Sequence, residues 1–241
     1  MALGSTTPAA VGQPRRRLGR ALRLSAAVIA VAIAGVGFLH TKAGRPLLAA
    51  MGVGCPAMRV SPAEVEGLRQ RALSTLRGTL PAAARPVFGL TLDASTEAEV
   101  SAWTAARGLD CQLAARPTRH LTCRDVPATA LRRGAEEPAV DEVSFTFFPD
   151  GRLLGVETLR RALTGGDAAR IFTAITATLD AEVGHSTERA GAPTADYLGG
   201  GAMHTAFARY RYSNFLATVT AMNLSGRVAL REQYASAVSP G

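Results

Sequence analysis

The chain has 241 residues, 47% of them hydrophobic and 19% charged, with a formal net charge of +8. This composition supports a packed core and excludes a disordered polyelectrolyte. Seven positive charges and no acid lie in residues 1–45, which leaves residues 46–241 near +1. That balance excludes a nucleic-acid-binding surface, which needs cations gathered on a folded face.

Residues 1–23 carry Arg15, Arg16, Arg17, Arg20 and Arg23 and are expected to form a disordered basic segment in the cytoplasm. An uncharged run follows at 24–41. Its length falls between a secretory leader core of about 7–15 residues and a membrane span of about 20. It is therefore read as a transmembrane anchor or a signal sequence, and the anchor is preferred because Thr41-Lys42-Ala43 is a poor cleavage pattern. The flanking arginines stay inside. The body is thus placed outside an inner membrane, in the periplasm, or secreted if the leader is cut. Residues 42–60 form a Gly/Pro-broken tether. Cys55 is a poor lipidation site, because Gly52 stands where a large aliphatic residue is needed.

The first strong helix signal is Ser61-Pro62-Ala63-Glu64, a capping box with proline at the first helical position. Val65, Leu68, Ala72 and Leu76 then fall on one apolar stripe, expected to face the core. Phe88, Leu90 and Leu92 alternate as a short strand. Thr96-Glu97-Ala98-Glu99 opens a second helix, stopped by Gly108. Cys111 and Cys123 are symmetric about Pro117, which puts them opposite each other across a hairpin and predicts a disulfide in an oxidising compartment. A polar loop runs from Pro127 to Pro138. Val143, Phe145 and Phe147 alternate with Ser144, Thr146 and Phe148, Pro149-Asp150-Gly151 turns the chain, and 152–160 return as a partner strand. Asp167 is read as the cap of a helix whose stripe is Ile171, Ile175, Leu179 and Val183. A Gly-rich loop over 185–205 precedes three strands near 206–212, 214–222 and 227–234.

The pattern defines an α+β body of helices packed on antiparallel sheet. It divides into a helix-plus-sheet unit over 61–163 and a second over 164–241, read either as a tandem pair or as one domain with a long meander. In both halves a helix leads through a hairpin or loop to a strand pair, over about 55 residues, the spacing of a repeat. The order carried by Leu90-Thr91-Leu92, the Thr96–Gly108 helix, Phe145–Leu153, Tyr210-Arg211-Tyr212 and the final hairpin resembles two families. One is the SmpA/OmlA-type small outer-membrane lipoprotein; the other is the tandem-repeat β-lactamase-inhibitor protein. The resemblance implies a binding or scaffolding role outside the cytoplasm and carries over no functional residue.

No catalytic constellation emerges. There is no Gly-x-Ser-x-Gly, no P-loop and no ligand set for a metal, so no catalytic, cofactor or metal residue is assigned. His185 and His204 flank the 185–205 loop and give an alternative hydrolase reading its only centre. The candidate partner surface is Arg209, Tyr210, Arg211 and Tyr212, whose arginines and tyrosines occupy opposite faces of one strand. The function expected is a non-enzymatic binding or adaptor module of the envelope. Its partners are the membrane through the N-terminal helix and an unidentified envelope protein; the alternative is a periplasmic module for a small ligand or lipid.

Overall fold

Eight strands, most of the longer ones with burial at every second residue, build the body of the protein. A computed structural model describes residues 61–114, 119–131 and 137–238. The basic segment 1–23, the apolar run 24–41, the tether 42–60 and the Arg116–Thr118 turn lie outside the described residues. Val60–Gly241 form one unit.

Helix α1 (Pro62–Leu76) comes first, then α2 (Glu97–Ala105), β1 (Cys111–Ala114), β2 (His120–Val126), a 3-10 turn (Ala128–Leu131), β3 (Val140–Phe147) and β4 (Leu153–Leu163). Next are α3 (Gly165–Glu182), β5 (Glu188–Ala190), α4 (Ala195–Gly200), β6 (Thr205–Arg211), β7 (Phe215–Leu224) and β8 (Arg227–Ser236). The strands form a single antiparallel sheet in the order β1-β2-β3-β4-β8-β7-β6-β5. Two meanders therefore meet at a central β4–β8 seam. The class is α+β, dominated by the sheet. Among the described residues no helix is long and apolar enough to cross a membrane.

One face of the sheet is the core. Val143, Phe145, Phe147, Val156, Leu230, Val219, Ala217, Ala208 and Tyr210 project into it and are buried. Helix α3 lies over β7 and β8 and buries Ile171, Phe172, Ile175 and Leu179, the stripe its spacing predicts. Helix α2 adds Val100, and Trp103 meets Phe145 edge to face at 5.8 Å between ring centres. The β7–β8 loop is the two-residue type that suits strand twist, with Ser225 and Gly226 both at positive φ.

Several local readings change. Val87 to Leu90 is a tight turn rather than a strand. Leu90 N–H donates to the Val87 carbonyl at 2.8 Å, with Phe88 and Gly89 at positive φ. Thr164, not Asp167, caps α3; its hydroxyl oxygen accepts from Asp167 N–H, three residues on. The 185–205 segment holds β5 and α4, organised by pairing with β6 and by packing of α4 on α3.

The largest change is at α1. Leu68, Ala72 and Leu76 of the apolar stripe face solvent and Val65 is half-buried, while the row one residue on (Glu66, Arg69, Leu73) turns to the body. Arg69 donates from Nη1 to the Ser236 carbonyl at 3.3 Å and from Nη2 to the Val238 carbonyl at 3.1 Å. Its Nε donates to Glu66 at 2.8 Å, and its guanidinium lies over the Phe148 ring. The hydrogen bond from Arg69 is the main cause holding the Glu66 carboxyl below its ordinary range. A carboxyl lowered on folding contributes its stability above its unfolded pKa, near 4.3, and loses it as pH falls through the lower folded value. Hydrogen exchange of the α1 amides, corrected for intrinsic rate, is expected to show α1 loosening below about pH 4. Glu66→Gln should loosen it at neutral pH and flatten that response.

Candidate functional site on the open face of the sheet

The second face of the sheet lies opposite the α3 layer. Along β6, β7 and β8, each residue between two buried ones is partly or fully exposed. This face is polar but ordered by ion pairs across strands. Glu157 on β4 receives two hydrogen bonds from Arg231 on β8, at 2.7 and 2.6 Å, and one from Gln233 at 3.2 Å. Glu188 on β5 receives Arg209 at 2.8 Å and Arg211 at 2.9 Å, one on each carboxylate oxygen. The Arg209 guanidinium also lies 4.2 Å from the centre of the Phe207 ring. Thr122 and Ser144 hydroxyls meet at 3.2 Å on β2 and β3. Paired, stacked guanidinium groups of this kind are held in one arrangement, which lowers the ordering cost of any further contact they make.

Near the β4–β8 seam, α1 forms a wall beside the sheet. A groove of about 230 Å³ lies between them, lined by Arg69, Leu73, Thr146, Leu154 and Glu157 together with β8 residues from Gln233 to Ser236. The face thus offers charged ladders with an apolar notch beside them.

The four residues expected to form a partner surface are divided. Arg209 and Arg211 lie on the open face, bound to Glu188 as above. Tyr210 is buried completely, and its hydroxyl donates to Asp180 at 2.9 Å. Burial, then the neighbouring Asp180, push that phenol well above its ordinary pKa, so it stays protonated as a core donor. Tyr212 is partly buried, and its hydroxyl donates to the Val183 carbonyl at 2.9 Å. Tyr210 therefore ties β6 to α3, and Tyr212, just past β6, holds the residue that follows α3. Period two alone puts Arg and Tyr on opposite faces; which face is covered depends on where α3 lies.

Cys111 and Cys123 are register partners on β1 and β2 and form a disulfide. Cys123 is fully buried, so the bond ties an edge strand to the core.

Sequence reasoning missed a buried polar cluster at the seam. Arg160 and Glu232 are both fully buried and pair at 3.0 Å. Glu232 also accepts from the Thr158 hydroxyl at 3.0 Å and from the Tyr234 hydroxyl at 2.6 Å. Arg160 reaches Glu137 at 3.1 Å. The available signal was Arg160 and Glu232 at in-facing positions of alternating strands. Tyr234 also lines a pocket of about 270 Å³ with Val87, Phe88, Leu131, Ile175 and Leu179.

The two histidines of the 185–205 segment do not converge. His185 is 96% exposed and 4.0 Å from Asp180, near the end of β6 where Thr187 N–H donates to the Arg209 carbonyl. His204 precedes the other end of β6, stacked on Tyr197 with ring centres 4.5 Å apart. At roughly 3.3 Å per strand residue, these ends stand about 20 Å apart. Among the described residues no three metal-ligating side chains cluster. No protein-family model, curated protein or solved structure matches the chain.

Proposed function

We propose that the protein is an exported, membrane-anchored binding or adaptor module of the bacterial envelope that engages a protein partner through the open face of its sheet. The observation that carries this reading is the asymmetry of the sheet. One face is closed by α2, α3 and α4, while the other keeps preorganised Arg–Glu ladders beside an apolar groove. Interfaces favour arginine and pre-positioned groups. The anchor at 24–41 and a periplasmic body, or secretion after cleavage, remain part of the proposal. They are supported by the one-sided charge of residues 1–45 and by a disulfide that suits an oxidising compartment. The mirrored strand order about the β4–β8 seam supports two tandem helix-plus-sheet units.

The test is charge reversal on the open face. Arg209→Glu, Arg211→Glu and Arg231→Glu together are expected to cut the yield of crosslinked envelope protein at least tenfold. Each single change should lower unfolding free energy by about 1 kcal/mol, because it replaces a cross-strand ion pair with two facing carboxylates. Unchanged crosslinking with all three reversed would remove this face from consideration.

A second reading, a module for a small ligand or lipid, is favoured by the 270 Å³ pocket between α3 and the Val87–Leu90 turn. Saturable binding of a ligand that Ile175→Trp abolishes would favour it. A hydrolase centred on 185–205 has the least support, because His185 and His204 flank opposite ends of β6.

A further inference from the structure

Helix α1 turns its apolar stripe away from the body it belongs to. Leu68 is 54% exposed and Leu76 42% exposed, and Ala72 between them is exposed as well. The body-facing row of Glu66, Arg69 and Leu73 is the stripe shifted by one residue, a rotation of about 100°. An amphipathic helix ordinarily buries its apolar side, so this one is seated by Arg69 and leaves its stripe for something else. Arg71 and Arg77, both exposed, lie beside the stripe and at the helix C-terminus.

We propose that this stripe rests on the surface of an anionic bilayer, so that α1 is a membrane-seating helix for the body. This rests on the proposed anchor at 24–41. The tether of 42–60 then begins at the membrane and ends at Ser61. Nineteen residues span at most about 65 Å however they are arranged, which keeps α1 at a raised effective concentration near the lipid. Arg71 and Arg77 outnumber Glu64, the one exposed acid beside the stripe, so they complement acidic headgroups while the leucines enter the interface. A second copy of the chain fits less well. A stable dimer needs roughly 800 Å² from each partner, and one short stripe of Val65, Leu68, Ala72 and Leu76 falls far below that.

The test uses the full chain with Cys55→Ser, reconstituted in vesicles of phosphatidylethanolamine and phosphatidylglycerol. Alkaline carbonate extraction is run first. Then Leu68→Cys, Leu76→Cys and, as a control on the open sheet face, Thr218→Cys are each labelled with an environment-sensitive fluorophore. Labels at 68 and 76 should shift to shorter wavelength and be quenched at least threefold more by brominated acyl chains than the label at 218. Replacing phosphatidylglycerol with phosphatidylcholine should halve that quenching or more. Labels at 68 and 76 that stay water-exposed in carbonate-resistant protein overturn this proposal and leave the anchor standing. A blue shift without bromolipid quenching that fades on tenfold dilution of protein in lipid also overturns it, in favour of self-association. Release of the chain by carbonate overturns the anchor and the proposal with it.

Discussion

Glu232→Ala is expected to be among the most damaging single substitutions in the body, costing about 3–5 kcal/mol, because it strips a fully buried guanidinium of its principal counter-charge. Arg160 and Glu232 stand beside each other at the β4–β8 seam, both without solvent contact. Of the other partners of Arg160, the Pro138 carbonyl is uncharged and accepts only from Nε at 3.4 Å, and Glu137, only 10% exposed, meets Nη2 alone. Alanine at 232 also leaves the Thr158 and Tyr234 hydroxyls without the oxygens they donate to. The double change Arg160→Met with Glu232→Leu removes the charges as a pair. It should recover at least half of the loss, because a buried ion pair gains little over an apolar pair of similar volume. Urea unfolding of the wild type and the three variants measures this directly. Equal destabilisation by the double and the single change would show that packing volume, not uncompensated charge, governs the seam.

Removal of the Cys111–Cys123 disulfide is the second large effect. The bond closes a short loop, and constraint of the unfolded chain over a separation of 12 residues is worth about 3 kcal/mol. The loss should be local in its first consequences. Strand β1 has only four residues and pairs on one side alone, to β2. Cys111→Ser with Cys123→Ser should therefore raise hydrogen exchange in β1 and β2 before it affects β7 and β8. The midpoint of urea unfolding should fall and its slope should rise slightly, because the unfolded chain freed of the cross-link exposes more surface. Uniform acceleration of exchange across all eight strands would instead make the edge and seam one cooperative unit.

Much of the secondary structure was legible because it is governed by neighbours in sequence. The Thr96 capping box, the Ile171–Leu179 stripe, the Pro149–Gly151 turn and the alternation of Val143, Phe145 and Phe147 depend on spacings of two to four residues. The disulfide was legible for a similar reason, since symmetry about one turn sets the register of a hairpin. The misreadings have a common cause. Phe88, Leu90 and Leu92 alternate like a strand, yet the backbone reverses at Phe88–Gly89 and never pairs beyond Val87–Leu90. The stripe of α1 satisfies helical periodicity, but one arginine with carbonyl partners more than 160 residues away rotates it out of the core. Of the candidate site, the arginines of β6 were identified and their pairing with Glu188 was not, because β5 is three residues long and carries no pattern of its own.

The sequence by itself determined the α+β class, the elements with strong local periodicity, the disulfide pairing and the confinement of surplus charge to residues 1–45. All of these follow from interactions between residues close in the chain or from composition. Only the tertiary structure decided that the two meanders share one sheet, which face α3 covers, that Arg160 and Glu232 meet out of water, and which side of α1 is left exposed. Those outcomes depend on long-range contacts, and a pattern with period two or 3.6 marks two sides of an element without saying which one the rest of the protein will bury.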